Sequence, residues 1–357
     1  MFMKRSFRIS LVVVAAMTVA LVGADDVMAK KKKKPEKPAV DPYAEYVWPP
    51  PPDEARIKLD AIILGREDVE AKGKFKRALL RSGPQSQYDR MVKPYDVAFD
   101  NEGRILVTDS GSAALLRFDR AGERMDVFGT KSVVQLSMPL GVDVGPDGRI
   151  YVADAKVKQV LAFDDEGKLV AVYGAPGELA NPTDAAVSPD GTKLYVADAR
   201  ANKIVVFGIE KADLQTSLGR TGQGEGEFAA PTSLEFGPEG YLFVVDQLNT
   251  RVQVLDPDGE FVDQFGKLGV GFGNFVRPKD VAVDELGLIY VTDNSFNNVQ
   301  LFDADFTLLT FVGSGGTGPG QFFGVSGIDV RGDEFVVVEQ LGARVQVFRF
   351  LGDRLRE

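Results

Sequence analysis

The sequence predicts an all-β chain: a six-bladed β-propeller of four-stranded antiparallel blades, its ring closed by an N-terminal strand. Three observations carry this prediction. A hairpin unit recurs six times, an acidic residue ends each copy at nearly constant spacing, and the last copy lacks a strand that the N-terminal region can supply.

The recurring unit reads PYDVAFDNEGRILVTDS (94–110), PLGVDVGPDGRIYVADA (139–155), PTDAAVSPDGTKLYVADA (182–199), PTSLEFGPEGYLFVVDQ (231–247), PKDVAVDELGLIYVTDN (278–294) and GVSGIDVRGDEFVVVEQ (324–340). Each copy sets two short apolar runs around a turn such as NEG, PDG or PEG, which is the signature of a hairpin. The closing acids are Asp109, Asp154, Asp198, Asp246, Asp293 and Glu339, spaced 45, 44, 48, 47 and 46 residues apart. A third apolar run follows each acid, and a fourth, ending in glycine, follows the first five: MDVFG129, VAVYG174, QTSLG219, VDQFG266 and LTFVG313. Four strands in every ~45 residues is the period of a propeller blade. The sixth unit has no fourth run. Ile57–Gly65, IKLDAIILG, has the same apolar ending and terminal glycine, so it is expected to complete blade six and leave no open edge there.

The repeats resemble NHL repeats over essentially all of 94–350. The resemblance rests on the Pro-x-(Asp/Gly)-hydrophobic start, the (Ile/Leu)-Tyr-Val-(Ala/Thr)-Asp strand and a glycine-rich approach to the inner strand. That approach occurs as GQGEGEF (222–228), GVGFGNF (269–275) and GTGPGQF (316–322). The WPPPPDEARI opening is similar to that of exported bacterial six-bladed NHL-type propellers. Two departures stand out, Gly324 where the other units carry Pro and Glu339 where they carry Asp. The resemblance implies the fold and leaves function open, since NHL-like propellers include protein binders, RNA binders and a few metal-dependent lyases.

The N-terminus reads as an export signal over 1–29. Lys4, Arg5 and Arg8 precede an apolar run from Ile9 to Gly23, with small residues suited to cleavage at Val22-Gly23-Ala24 or Val27-Met28-Ala29. A periplasmic or extracellular destination follows, with tethering to the membrane if the signal is retained. Residues 30–55 read as a Lys/Pro-rich linker, and 56–357 as the propeller with blades over 93–350. The Lys30–Lys34 run is expected to be solvated, with contact to an anionic membrane surface as the sharper reading. Trp48 and the prolines 49–52 either hold this tail off the body or lay it against the body. KFKRALLR (74–81) is compatible with a short amphipathic helix.

The first 37 residues carry nine basic and three acidic side chains, so the net charge of −10 for the whole chain becomes −16 without them. Such a body repels phosphate backbones and excludes general nucleic-acid binding. With no cysteine there is no disulfide framework. The chain also has no histidine, so a zinc site of N and S ligands cannot be built and the usual near-neutral proton shuttle is missing. The lyases that the resemblance brings to mind use histidine ligands or a histidine base.

A residue repeated in every blade is best explained by a task that every blade has. The six closing carboxylates are therefore expected to accept hydrogen bonds from loop N–H groups. Asp96, Asp184 and Asp280 are less regular, with Gly141, Ser233 and Gly327 as their counterparts, and are the candidate metal ligands if the chain binds Ca²⁺, which takes six to eight oxygens. Otherwise no cofactor is expected. Departures from the repeat on the loop face are Tyr95, Lys158, Arg200, Lys203, Arg251, Lys279, Phe296 and Arg344; standing among carboxylates, they either pair with them and solvate the surface or form a binding face, being aromatic and basic groups of the kind found in interfaces. The reading is an exported, monomeric binding or assembly scaffold for a protein, peptide or saccharide, without catalysis. The competing reading is a Ca²⁺-dependent, lactonase-like hydrolase or lyase at the channel mouth.

Overall fold

Each predicted hairpin unit folds into one antiparallel blade, four-stranded in blades one to five and carrying a short fifth strand in blade six. The computed structural model describes residues 41–70, 85–131 and 134–352. The N-terminal signal and the 74–81 segment lie outside these residues. No described helix is long and apolar enough to cross a membrane. In blade three the strands are Pro182–Val187, Lys193–Asp198, Lys203–Gly208 and Asp213–Leu218, ordered from the channel outward. The second and third strands of every blade are almost wholly buried, because neighbouring blades cover both faces. Accordingly these strands read as continuous apolar runs and not as alternating ones. Six apolar clusters result, one between each pair of adjacent blades.

The ring closes as the sequence predicts. Ile57–Ile63 pairs antiparallel with Arg344–Phe350 and becomes the outer strand of blade six. The N-terminal boundary differs from the expected one. The compact unit begins at Pro42, because Val47–Trp48 pairs with Ile57–Lys58 as a fifth strand and Tyr43, Tyr46 and Trp48 pack on the blade-six cluster. Of the two arrangements open to this stretch in the sequence, the structure has the one that lays it against the body, with Trp48 on Phe348. Further on, Arg66–Glu70 forms a short helix, and the Glu70 carboxylate accepts the Met125 N–H on the outer strand of blade one.

One register is corrected. Val325 stands opposite Glu339 as Pro94 stands opposite Asp109, so the position equivalent to proline is Val325 and not Gly324. The inner hairpin turn of blade six is one residue shorter, so Val325 lies 14 residues before its closing acid where Pro94 lies 15 before Asp109. The glycines that end the fourth strands have a clear cause. Gly219, Gly266 and Gly313 have φ of +78°, +81° and +90°, and a Cβ on them would lie within 2.3 Å of the rings of Phe228, Phe275 and Phe322. Backbone conformation and lack of space both select glycine there.

Candidate functional site: the channel and the loop face

The closing carboxylates hold the loop face together. Asp109 accepts the N–H groups of Val92 and Lys93 from the incoming loop and of Gly111 and Ser112 from its own hairpin. Asp154 and Asp293 repeat this fourfold pattern, and Asp198 repeats it with three. Asp246 and Glu339 accept a loop N–H together with arginine and glutamine side chains. All six are fully buried. Four residues beyond each acid, a non-glycine residue takes a left-handed conformation: Ala113, Lys158, Asn202, Thr250, Asn297 and Ala343, with φ of +49° to +59°.

Around the channel the inner strands place acids by a rule of alternation. Odd blades carry Asp96, Asp184 and Asp280 at the third inner-strand position; even blades carry Asp143, Glu235 and Asp329 at the fifth. Each member of the first set accepts an N–H from the next blade: Asp96 from Val142 at 2.9 Å, Asp184 from Leu234 at 2.8 Å and Asp280 from Ile328 at 2.7 Å. In the second set Asp143 accepts from Val187 and Asp329 from Phe99. Small residues in even blades make room for this. A Cβ on Gly141 would meet Asp184 Oδ1 at 2.0 Å, one on Gly327 would meet Asp96 Oδ1 at 2.5 Å, and the Ser233 hydroxyl donates to Asp280 at 2.5 Å. The irregularity between copies is thus steric complementarity between neighbours.

Burial raises the pKa of Asp96, Asp184 and Glu235 well above the carboxylate range, and mutual repulsion adds to it. Burial also raises Asp143 and Asp280, and lifts Asp329 to about 7. At the loop-face end a constriction of about 10 Å³ is lined by Tyr95, Thr232, Lys279 and Ser326 together with the odd-blade acids. That is room for about one water. Toward the turn face the channel widens to a chamber of about 220 Å³ lined by all six acids. Among the described residues, no group of three ligating side chains is arranged to hold a metal ion.

The basic and aromatic departures fall into three groups. Arg251 and Arg344 are held inside the fold, paired with the closing carboxylates of their blades. Arg251 donates to Asp246, Gln264 and the carbonyls of Gly224 and Glu227; Arg344 donates to Glu339 and the carbonyls of Thr317, Gly318 and Gln321. Both therefore clamp a glycine-rich loop. Tyr95 and Lys279 meet at the channel mouth, the ammonium 5.3 Å from the ring centre, and burial pulls Lys279 down to about 8. Lys158 and Arg200 are exposed, while Lys203 and Phe296 are half-buried. The even-blade acids were missed in the sequence, although the alternation of D at position three with D or E at position five is visible there.

A family model described as NHL repeat matches residues 136–163, within blade two. No curated protein matches in sequence. Among solved structures, a catalytically inactive histidine-to-alanine variant of virginiamycin B lyase from Staphylococcus aureus, with quinupristin, is similar at 16% identity and TM-score 0.55. That match covers 76% of this chain and 86% of that one. A gluconolactonase from Xanthomonas campestris is similar at 16% identity and TM-score 0.57, over 74% of this chain and 88% of that one. The Kuenenia stuttgartiensis hydrazine synthase is similar at 15% identity and TM-score 0.55, over 76% and 99%. At such identities the likeness is one of fold. The chain is a six-bladed β-propeller with an NHL repeat in its second blade.

Proposed function

We propose that this protein is a rigid, non-catalytic module that binds a protein or peptide partner through its loop face and adjoining rim. One observation supports this above the others: five of the six channel carboxylates are engaged in hydrogen bonds that join one blade to the next. The centre serves as a keystone, and at its loop-face end it leaves room for about one water. The surface, by contrast, offers exposed Lys158 and Arg200, and a rim where Leu268, Val270 and Phe272 are all more than two-thirds exposed. Exposed apolar groups gathered in one place mark interaction sites. The absence of any histidine agrees with this reading, since a histidine-to-alanine change inactivates the lyase of the same fold.

Two assays in parallel test the proposal. Affinity capture from the native cell envelope should return a saturable protein partner. Lactone hydrolysis, measured with Ca²⁺, Mn²⁺ or Zn²⁺ added, should stay at background and be indifferent to Asp96→Asn. Metal-dependent turnover lost in Asp96→Asn would establish the hydrolase reading instead.

A further inference from the structure

Three glycine-rich loops approach blades four, five and six, and they are copies of one design. In each, the N–H of the third glycine donates to a buried glutamine on the blade's third strand: Gly226 to Gln253, Gly273 to Gln300 and Gly320 to Gln346. On blade six this glycine is covered. The chain's own Trp48 lies where a Cβ on Gly320 would be, 2.4 Å from that point, and rests edge-on against Phe348 with ring centres 5.5 Å apart. Val47–Trp48 at the same time extends the sheet as a fifth strand, with the Tyr46 carbonyl accepting the Leu59 N–H.

Blade five has the same shelf without a cover. A Cβ on Gly273 would meet only Leu308, at 4.0 Å, and the outer strand Leu308–Val312 pairs with no further strand among the described residues. The surroundings of this copy differ in kind from the other two. Val270 and Phe272 replace Gln223 and Glu225 of blade four and Thr317 and Pro319 of blade six. Phe272 stacks on Phe311 of the outer strand at 5.0 Å, and Leu268, Val270, Phe272 and Leu309 are 71%, 87%, 72% and 54% exposed. The arginine that clamps the loop in blades four and six is replaced by Asn298, only 9% exposed, whose Oδ1 has no hydrogen-bond partner. A polar clamp has thus given way to a buried amide with an unmet acceptor, and the loop above the clamp position to an open apolar surface of the kind that marks interaction sites.

We infer that blade five receives an extended segment of a partner protein, which adds as a fifth strand along Leu308–Val312 and lays an aromatic ring over Gly273 against Phe272. The chain's own Tyr43–Trp48 segment on blade six is the internal precedent for the mode and for the chemistry of the occupant. Strand addition of this kind takes affinity from the backbone and specificity from the side-chain pocket. The acidity of the body argues against an anionic lipid surface as the occupant. The inference rests on the proposed binding function and specifies one of its contacts.

The test uses the full-length protein and a fluorescein-labelled peptide with the sequence of residues 42–52, followed by anisotropy. Saturable binding is expected, weakened at least ~10-fold by Phe272→Ser with Phe311→Ser and by alanine at the peptide's tryptophan, and unchanged by Leu214→Ser on the blade-three rim. Unaltered melting temperatures establish that the variants fold. Absence of binding up to about 1 mM peptide, or equal binding by the double variant, would overturn the inference. So would a wild-type dimer that the double variant abolishes, or binding to phosphatidylcholine vesicles that it abolishes. A captured envelope partner retained by the double variant, with no peptide binding, leaves the binding function standing and removes only this site.

Discussion

Blades three and six have the same sheet and different histories along the chain. Blade three is one continuous meander, and its outer strand Asp213–Leu218 lies open to solvent, with Leu214 46% exposed. Blade six is assembled from both ends of the body, and the residue equivalent to Leu214, Leu59, is fully buried. The register makes the two comparable: Leu214 pairs with Phe207 as Leu59 pairs with Phe348. The difference lies in the cover, since Tyr43, Tyr46 and Trp48 belong to the cluster that contains Leu59. An outer strand is peripheral where the chain merely passes through it, and becomes core where it closes the ring.

The largest effect should come from removing the closure. Deletion of residues 1–65 takes away the outer strand of blade six and exposes Phe348, and should abolish cooperative thermal unfolding as followed by circular dichroism. A truncation that melts like the full chain would show that the ring holds without its clasp. A finer comparison uses matched substitutions. Leu59→Ala should cost about 2–5 kcal/mol in urea unfolding, the range for a buried leucine, whereas Leu214→Ala should stay within about 0.5 kcal/mol, as for a surface site. Equal costs would erase the distinction between the two blades. Trp48→Ala should fall between them at about 1–3 kcal/mol, because the ring is only partly buried.

The channel is shared by both blades, through Asp143 on Val187 and Asp329 on Phe99, and can be sharpened by pH. Asp329 has a folded pKa near 7 against an ordinary value of 3.8. Its folded-state value is the higher one, so its contribution is complete below the unfolded pKa and is lost as pH rises through about 7. Melting temperature should therefore fall between pH 5 and pH 8, and Asp329→Asn should flatten that fall without removing it. The other channel acids act in the same direction, with Lys279 opposing them toward the alkaline end. A slope unchanged by the substitution would place the titration elsewhere. The smallest effect concerns Thr250, β-branched and at φ +54°. Glycine there relieves left-handed strain of about 1–2 kcal/mol and loses part of it to a freer unfolded chain, so a gain of no more than about 1 kcal/mol is expected.

How much of this could be read from the sequence follows from which interactions repeat. The blades, the closing strand and the roles of the six closing carboxylates were legible, because each blade restates them. The acids of the even blades are hard to read there, because Asp143, Glu235 and Asp329 obey a period of two blades and not of one. The pairing of Arg251 with Asp246 and of Arg344 with Glu339 is legible as charge beside charge, whereas their bonds to backbone carbonyls of the glycine-rich loops carry no signal in residue type. Tyr43 to Trp48 reads as linker because prolines and charges surround it; Trp48 alone hints at a contact, and the aromatics that bind the stretch to the body are spaced too irregularly to form a pattern.

The alternation around the channel has an arithmetical consequence. A ring in which every acid-bearing third position needs a small residue in the blade before it can only be tiled by pairs. Five or seven such units would somewhere set two like blades together. In one case an aspartate side chain would occupy the space that Gly141 now leaves for Asp184; in the other, two small residues would face each other across a gap. Blade number in this molecule is therefore fixed in parity as well as in curvature. Duplication of two adjacent blades would keep every neighbour correct, whereas duplication of one would create a junction between like blades.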